Sequence, residues 1–452
     1  MIQPMTLTMA AQTFGGTLMY PDCEFSAVST DSRHIHEGDV FVALRGEHFD
    51  AHNFLPEVAT RASGMVVEYA DRDINLPQWV VPDTTVALGQ LALLNRRRFH
   101  GPVVAITGSS GKTTVKEMVA AILGECGSVL ATKGNLNNHI GVPLTLLSLT
   151  AKHRFAVIEM GASGPSEISY LCSLAKPDVV LVNNVLPAHV SGFGSLEGIA
   201  SAKGEIYSGV CSEGTAVINL DESWAPQWRA ATLARVVSYS LVSESADFYA
   251  KAMVPDPQGC FSFVLVTPVG EAAVQLAVSG RHNVANALAA AACAHAAGAD
   301  LGAVATGLNK VRAVPGRLHR QMLATGGTLI DDTYNANPGS VKAAVDTLMS
   351  ISGKQILVLG DMGELGDNEA SLHGEVGRYA AEKGVSHLLA VGPLSINTVR
   401  EFGKGAEHLD SKEQLLERLN SLLDKDAVVL VKGSRFMAMD TVVKMITELG
   451  EH

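Results

Sequence analysis

A run of apolar residues from Val103 to Ile106 gives way to a polar, glycine-bearing stretch from Gly108 to Thr114. Apolar side chains then return at Val115, Met118, Val119 and Ile122. The first pattern predicts a buried strand and the last an amphipathic helix. Strand, glycine loop and helix form the context in which a phosphate-binding loop works. Glycines let backbone N–H groups turn toward an anion, and the helix N-terminus adds partial positive charge. In such a loop Lys112 reaches the β- and γ-phosphates, and Thr113 offers its hydroxyl to Mg2+. The common pattern G-x-x-x-x-G-K-[ST] needs Gly at 106, where this chain has Ile; the loop here is the shorter G-x-x-G-K-T-T.

The same patterning divides the rest of the chain into three parts. Residues 1–84 read as a small α/β domain, with β-branched runs at Asp39–Leu44, Gly64–Glu68 and Trp79–Val81 as strands. Two polar clusters stand beside them, Ser29 to Arg33 and Gly46 to Phe54, the latter after a strand ending in Arg45. Arg33 and Arg45 are able to grip a diphosphate bidentately; plain surface loops are polar too.

Residues 85–314 form the largest domain. A helix from Thr84 to Arg98 leads into the phosphate loop. A loop dense in amides follows (Asn135, Asn137, Asn138). Phe155 to Gly161 reads as a strand with Glu159 near its C-terminal end, where parallel sheets line their sites; a carboxylate there can hold Mg2+ opposite Thr113. Asp178 to Val182 is the next strand, ending in Asn183 and Asn184, with His189 just beyond. Gly192 to Gly198 reads as a loop, and Gly198 to Tyr207 as a helix carrying Lys203, which periodicity alone does not distinguish from a surface lysine. Thr215–Asn219 and Arg235–Tyr239 are further strands. The alanine-rich stretch from Gly280 to Gly298 is a helix with Asn283 and Asn286 on one face. Two amides there can read a purine edge, or Asn283 can simply cap the helix.

In residues 315–452, apolar runs at 328–330, 355–359, 388–391 and 427–431 alternate with helical patterns at 339–350, 371–383, 411–424 and 436–449. That alternation predicts a doubly wound parallel sheet. No G-x-G-x-x-G follows the first strand, so NAD is not indicated. Pro315-Gly316-Arg317 marks the boundary and puts an arginine where two domains meet.

Composition narrows the classes. With 452 residues, 47% hydrophobic, 18% charged, 5% aromatic and 43 Gly, the chain suits a multidomain α/β enzyme. A net charge of −12 argues against nucleic-acid binding. The six Cys contain no C-x-x-C pair, which points to free thiols in a cytoplasmic protein rather than a disulfide or zinc scaffold. No apolar run approaches the roughly 20 residues that span a bilayer.

The motifs taken together resemble the Mur ligase family of peptidoglycan synthesis. They are Thr-Gly-Ser-Ser-Gly-Lys-Thr-Thr (107–114), Gly-Asn-Leu-Asn-Asn-His-Ile-Gly-Val-Pro (134–143), Val-Ile-Glu-Met-Gly (157–161), Ala-Lys-Gly-Glu-Ile-Tyr (202–207), Gly-Arg-His-Asn-Val-Ala-Asn (280–286), Pro-Gly-Arg-Leu (315–318) and Asp-Asp-Thr-Tyr-Asn-Ala-Asn-Pro (331–338). Three stretches favour the member that adds D-alanyl-D-alanine. One is Thr-Asp-Ser-Arg (30–33) with Phe-Val-Ala-Leu-Arg-Gly-Glu-His-Phe-Asp-Ala-His (41–52), the second the 331–338 motif, and the third Gly-Asp-Met-Gly-Glu-Leu-Gly (360–366).

The resemblance implies a monomeric three-domain ligase. Residues 1–84 would take a UDP-sugar peptide, a central P-loop ATPase domain (85–314) would bind ATP, and a Rossmann-like domain (315–452) would take D-alanyl-D-alanine. Activity would be the ATP-dependent joining of that dipeptide to UDP-N-acetylmuramoyl-tripeptide through an acyl phosphate. It implies that Gly108, Ser109, Ser110, Gly111, Lys112, Thr113 and Thr114 cradle the phosphates. Asn283 and Asn286 would face adenine, Arg317 the phosphates and Asp332 the ribose. Thr113 and Glu159 would hold one Mg2+, and His189 with a carbamylated Lys203 a second. Ser32, Arg33, Arg45, Asp50, His52, Asn137, Asn138, Asn335, Asn337, Asp361 and Glu364 are the expected substrate contacts, with Lys432 and Arg435 further candidates in the C-terminal pocket. The alternatives are another amino acid ligase of this type and a non-catalytic nucleotide-binding protein.

Overall fold

The structure is a computed structural model and describes residues 1–187 and 190–448. In the N-terminal part, five strands lie in the spatial order Thr17–Met19, Gln78–Val80, Gly64–Val67, Asp39–Val42, Ala27–Ser29. The first pair is antiparallel and the rest are parallel. The three strands expected from β-branched runs form the centre of this sheet. The outer two are short and half-exposed, so they carry little apolar signal. Asp83 caps the helix Thr84–Arg97 by accepting from the Thr85 and Val86 amides. The Thr84 hydroxyl donates to the Ala43 carbonyl at 2.8 Å, joining that helix to the N-terminal sheet.

The central sheet is parallel throughout, in the order Arg235–Tyr239, Thr215–Asn219, Val179–Val182, Val103–Thr107, Phe155–Glu159, Val129–Ala131. Its central strands Val103–Thr107, Phe155–Glu159 and Val179–Val182 are buried along their whole length because both faces are covered, which is why they read as apolar runs. Val103, Ala105, Ala156, Ile158, Val180 and Val182 pack on one side with residues of Thr84–Arg97, Glu167–Ala175 and Leu196–Ser208. Val104, Ile106, Val157 and Leu181 pack on the other with Lys112–Gly124 and Arg281–Ala296. The strand Val103–Thr107 sits in the middle, and the chain passes to one side of it for the next two strands and to the other side for the one after. Ligands bind in the crevice at such a switch point.

Gly192 does not lie in a plain loop: it falls in the short helix Val190–Phe193, and the Lys203 helix starts at Leu196. Ser195 caps that helix by accepting from the Gly198 amide. A three-stranded antiparallel sheet, Tyr249–Pro255, Cys260–Thr267 and Gly270–Ser279, follows the central strands.

The C-terminal sheet has the order His319–Met322, Thr328–Asp332, Ala427–Lys432, Lys354–Gly360, His387–Val391, Ala406–Leu409, with the first strand antiparallel. The last predicted helix starts later than its pattern, at Asp440, after a single tight turn at Arg435–Met437. Among the described residues, no helix is long and apolar enough to cross a membrane.

Candidate active site

The phosphate loop after Val103–Thr107 and the end of Phe155–Glu159 open onto one cleft of ≈ 400 Å3, bounded on its far side by Gly316 to Leu318, by Asp332 at the end of Thr328–Asp332 and by the helix Pro338–Met349. The phosphate loop forms its floor. Gly111 stands at the N-cap of Lys112–Gly124 with φ +75°, a left-handed conformation that glycine takes without cost. A Cβ at Gly111 would come within 2.6 Å of Asn183 Nδ2 and 2.8 Å of Asn286 Oδ1. The loop is therefore packed tightly against two amides from other elements.

Those amides form a chain. The Asn183 side chain donates to the Ser110 carbonyl (3.0 Å) and to Asn286 Oδ1 (3.0 Å). Asn286 donates to Asn283 Oδ1 (2.9 Å), and Asn283 to the Ser279 carbonyl (2.7 Å). Asn184 Oδ1 accepts from the Ser110 amide at 2.8 Å. Asn283 and Asn286 do share a face, as their spacing requires. Asn283 does not cap its helix, whose N-cap is Gly280 with no side-chain hydrogen bond. Asn183 and Asn184 were visible only as a polar strand end; what ties them to the loop is the pairing of their strand with Val103–Thr107.

Thr113 and Glu159 meet as expected. The Thr113 hydroxyl donates to Glu159 Oε2 at 2.7 Å, and Asn137 Nδ2 donates to Oε1 at 2.9 Å. Arg317 reaches across from the C-terminal part and donates to the Thr113 hydroxyl at 2.7 Å. Lys112 folds back onto the Gly108 carbonyl at 2.8 Å. Burial pushes the Lys112 ammonium below its ordinary pKa, and Arg317 acts in the same direction while Glu159 opposes both.

Lys203 is not a surface lysine. It is 1% exposed, and its ammonium stands 5.6 Å from the centre of the Phe193 ring. Burial, with the charge of Lys112 as a second cause and Glu167 opposing, lowers its pKa to about 7. It lines the cleft together with Glu159, Ser163 and Glu167. His189 lies outside the described residues.

On the C-terminal side, Asp332 forms a buried ion pair with Lys432 at 2.6 Å. Lys432, a candidate for the C-terminal pocket, lines this cleft and also donates to the Asn335 carbonyl at 2.8 Å. Asn335 and Asn138 line the cleft as well. Asn337 does so while capping the helix Pro338–Met349, accepting from the Ser340 amide at 2.8 Å.

Other expected substrate contacts lie elsewhere. Asp361 is 2% exposed and spends its carboxylate on the Leu394 and Ser395 amides (3.1 and 2.8 Å), so it is a satisfied structural group. Glu364 is outside the cleft lining, on backbone with φ +61°. Ser32 and Arg33 lie in the short turn Ser32–His34, while Arg45, Asp50 and His52 form a separate group after the strand Asp39–Val42. Arg33 pairs bidentately with Asp31 (2.9 and 2.8 Å). Arg45 stands 3.8 Å from Asp50 and 3.7 Å from Glu68. His52 is buried, shares Asp50 at 2.7 Å and accepts from the Glu68 amide at 2.9 Å.

A phosphate loop at the switch point of a parallel sheet, beside a carboxylate of that sheet and an arginine from the turn that precedes a second sheet, defines a nucleotide-dependent α/β enzyme. Residues 106–294 match the Mur ligase middle domain, and residues 316–435 the domain described as Mur ligase, glutamate ligase domain. The chain belongs to the Mur ligase family. It is 45% identical, over 99% of both chains, to the UDP-N-acetylmuramoyl-tripeptide--D-alanyl-D-alanine ligase of Escherichia coli. Its fold is similar to the crystal structure of MurF from Acinetobacter baumannii, with a TM-score of 0.93, 37% identity and 99% of each chain covered. It is also similar to the MurF ligase of Thermotoga maritima in complex with ADP, with a TM-score of 0.84, 28% identity, and 94% of this chain and 98% of that one covered.

Proposed function

We propose that this chain is the ATP-dependent ligase that joins D-alanyl-D-alanine to UDP-N-acetylmuramoyl-tripeptide. The observation that carries the reading is the convergence of Thr113, Glu159 and Arg317 within hydrogen-bond reach from three separate elements, in a chain this similar to ligases of that name. Residues 1–84 take the UDP-sugar peptide, 85–314 the ATP, and 315–452 the dipeptide; the protein acts as a monomer on small molecules.

The residues present suit a nucleotide and a divalent cation. The Ser109 and Ser110 amides are taken by Asn184, so the amides from Gly111 to Thr114, at the start of the helix Lys112–Gly124, are the ones that would meet an anion, and no Cβ at Gly111 intrudes. Thr113 and Glu159 would hold one Mg2+, and His189 with carbamylated Lys203 a second. Among the described residues no three His, Cys, Asp or Glu side chains form a metal cluster, so phosphate oxygens would complete the coordination. A bound Mg2+ offsets negative charge on the phosphates. Lys203 suits carbamylation because its pKa of about 7 leaves much of the amine neutral.

An anionic carboxylate is a poor electrophile. Transfer of the γ-phosphoryl group of ATP to an oxygen of the tripeptide carboxylate breaks the β–γ phosphoanhydride bond, giving an acyl phosphate and ADP. The dipeptide amine then attacks its carbonyl, and phosphate leaves. Lys112, now on the Gly108 carbonyl, and Arg317, now on the Thr113 hydroxyl, would offset the charge that develops on the transferring group. Asn283 and Asn286 face adenine, and Asp332 the ribose. Closure of the C-terminal part over the cleft keeps water from the acyl phosphate.

The test is phosphate release with Mg2+, ATP and UDP-N-acetylmuramoyl-tripeptide, comparing D-alanyl-D-alanine, D-alanine and L-amino acids. Turnover only with the dipeptide, and a pentapeptide product by mass, is expected. Turnover with a single amino acid moves the chain to another ligase of the family. ATP binding without turnover sinks the ligase reading.

A further inference from the structure

Arg317 has a long flexible stem, yet it points across a domain seam at one hydroxyl. The turn beneath it is held from several directions. Asp331, 7% exposed, accepts from the Gly316 amide through Oδ2 at 3.0 Å. Its other oxygen accepts from the Thr333 hydroxyl at 2.6 Å, which locks the carboxylate's orientation. The Tyr334 amide donates to the Gly316 carbonyl at 3.0 Å. Asp332 accepts from the Leu318 amide at 3.1 Å. Leu318 has φ +52°. A branched side chain keeps left-handed backbone only where its surroundings over-determine it. Above the turn, the Arg317 guanidinium lies 4.0 Å from the centre of the Tyr334 ring. A cation over an aromatic face is attracted by the ring quadrupole, and a planar guanidinium also stacks.

We propose that Asp331 and Tyr334 are positioning residues for Arg317. Asp331 fixes where the turn places the Arg317 backbone, and the Tyr334 ring fixes the plane in which its guanidinium lies. Neither needs to touch the phosphates. Their work is to remove the rotamer freedom that Arg317 would otherwise lose on binding, so that its fork meets Thr113 and the incoming anion in one orientation. This inference rests on the reading of the cleft as an ATP site.

The experiment is a double-mutant cycle on the full-length protein with Mg2+. ATP affinity is read by direct titration, and kcat and KM for ATP by phosphate release. Tyr334→Leu, Tyr334→Phe and Asp331→Asn are each made alone and over Arg317→Ala. Expected is about tenfold weaker ATP binding for Tyr334→Leu and Asp331→Asn with Arg317 present. With Arg317→Ala the same changes cost under about twofold, because the group they serve is gone. Tyr334→Phe recovers most of the Tyr334→Leu loss. Equal losses in both backgrounds overturn the proposal, as do unchanged affinity or a Phe variant no better than Leu. Thermal unfolding is followed throughout; if Asp331→Asn fails to fold, the Tyr334 variants decide. ATP binding without ligation by the unaltered protein fails the ligase reading and leaves this cycle readable. No ATP binding at all overturns both.

Discussion

The Arg317 guanidinium donates to the Thr113 hydroxyl at 2.7 Å across 204 positions of sequence. That hydroxyl in turn donates to Glu159 Oε2, also at 2.7 Å. Three groups from the C-terminal turn, the phosphate loop and a central strand thus form one chain of hydrogen bonds. Arg317→Lys keeps the charge but loses the planar fork that stacks on Tyr334 and reaches Thr113 together. The expected outcome is a fall of about 10- to 100-fold in kcat/KM for ATP. Phosphate-release kinetics check it; a change under about threefold would show that charge alone suffices.

Gly111→Ala tests the floor of the cleft. The added Cβ would enter the space of Asn183 and Asn286 at 2.6 and 2.8 Å, on backbone with φ +75°. A strained non-glycine residue of this kind costs about 1–3 kcal/mol. Denaturant unfolding should report that loss, and titration should find ATP binding weakened by more than the stability change explains, because the loop amides move. Normal ATP affinity in the variant would refute a phosphate role for this loop.

Lys203 carries a pH signature. Its pKa falls from 10.5 in the open chain to about 7 on burial. Below about pH 7 both states hold the proton and the cost of burying the charge is fully present. Between about 7 and 10.5 the unfolded chain binds more protons, so stability rises with pH through that window. Above it neither state is charged. In CO2-free, metal-free buffer, Lys203→Met should flatten this rise in urea unfolding curves taken from pH 6 to 10. An identical slope in both proteins would contradict the burial argument. With the unaltered fold and substrates present, added short-chain carboxylates should partly restore turnover to Lys203→Ala if a carbamate normally serves there.

The buried pair of Asp332 and Lys432 gives a stability prediction of a different kind. Burial raises the Asp332 pKa, and Lys432 is the main group opposing that rise. Lys432→Met alone leaves a carboxylate unpaired in a site where the pair's side chains are 4% and 13% exposed. It should cost about 3–5 kcal/mol. The double variant Lys432→Met with Asp332→Leu should recover more than half of that loss in denaturant unfolding, because no charge is stranded. Both variants should weaken ATP binding. A single variant as stable as the parent would mean the pair is solvated in solution.

Local chemistry made the phosphate loop readable from the chain alone. Gly108 and Gly111 bracket a polar turn between a doubly buried strand and a helix, and that pattern has few other uses. The parallel core of the C-terminal sheet was likewise readable, since strands buried on two faces are apolar runs and here they alternate with helical patterns. The short strands Thr17–Met19, His319–Met322 and Ala406–Leu409 were not, because half-exposed sheet edges carry mixed side chains with no clear period. The hairpins between Tyr249 and Ser279 went unread as well, although Phe263 and Leu265 alternate inward there.

Tertiary structure alone decided which polar residues serve the cleft. Asn183 joins Asn286 across 103 positions, and Lys432 joins Asp332 across 100. Asp361 directly follows a strand and Asp332 ends one, but the neighbours of Asp361 are the backbone amides of 394 and 395, which consume its carboxylate. A strand end in the sequence says that a polar group is near a crevice. Whether that group faces a ligand, a partner charge or a bare amide depends on strand order and on how two sheets meet, and those are fixed by packing between segments far apart in the chain.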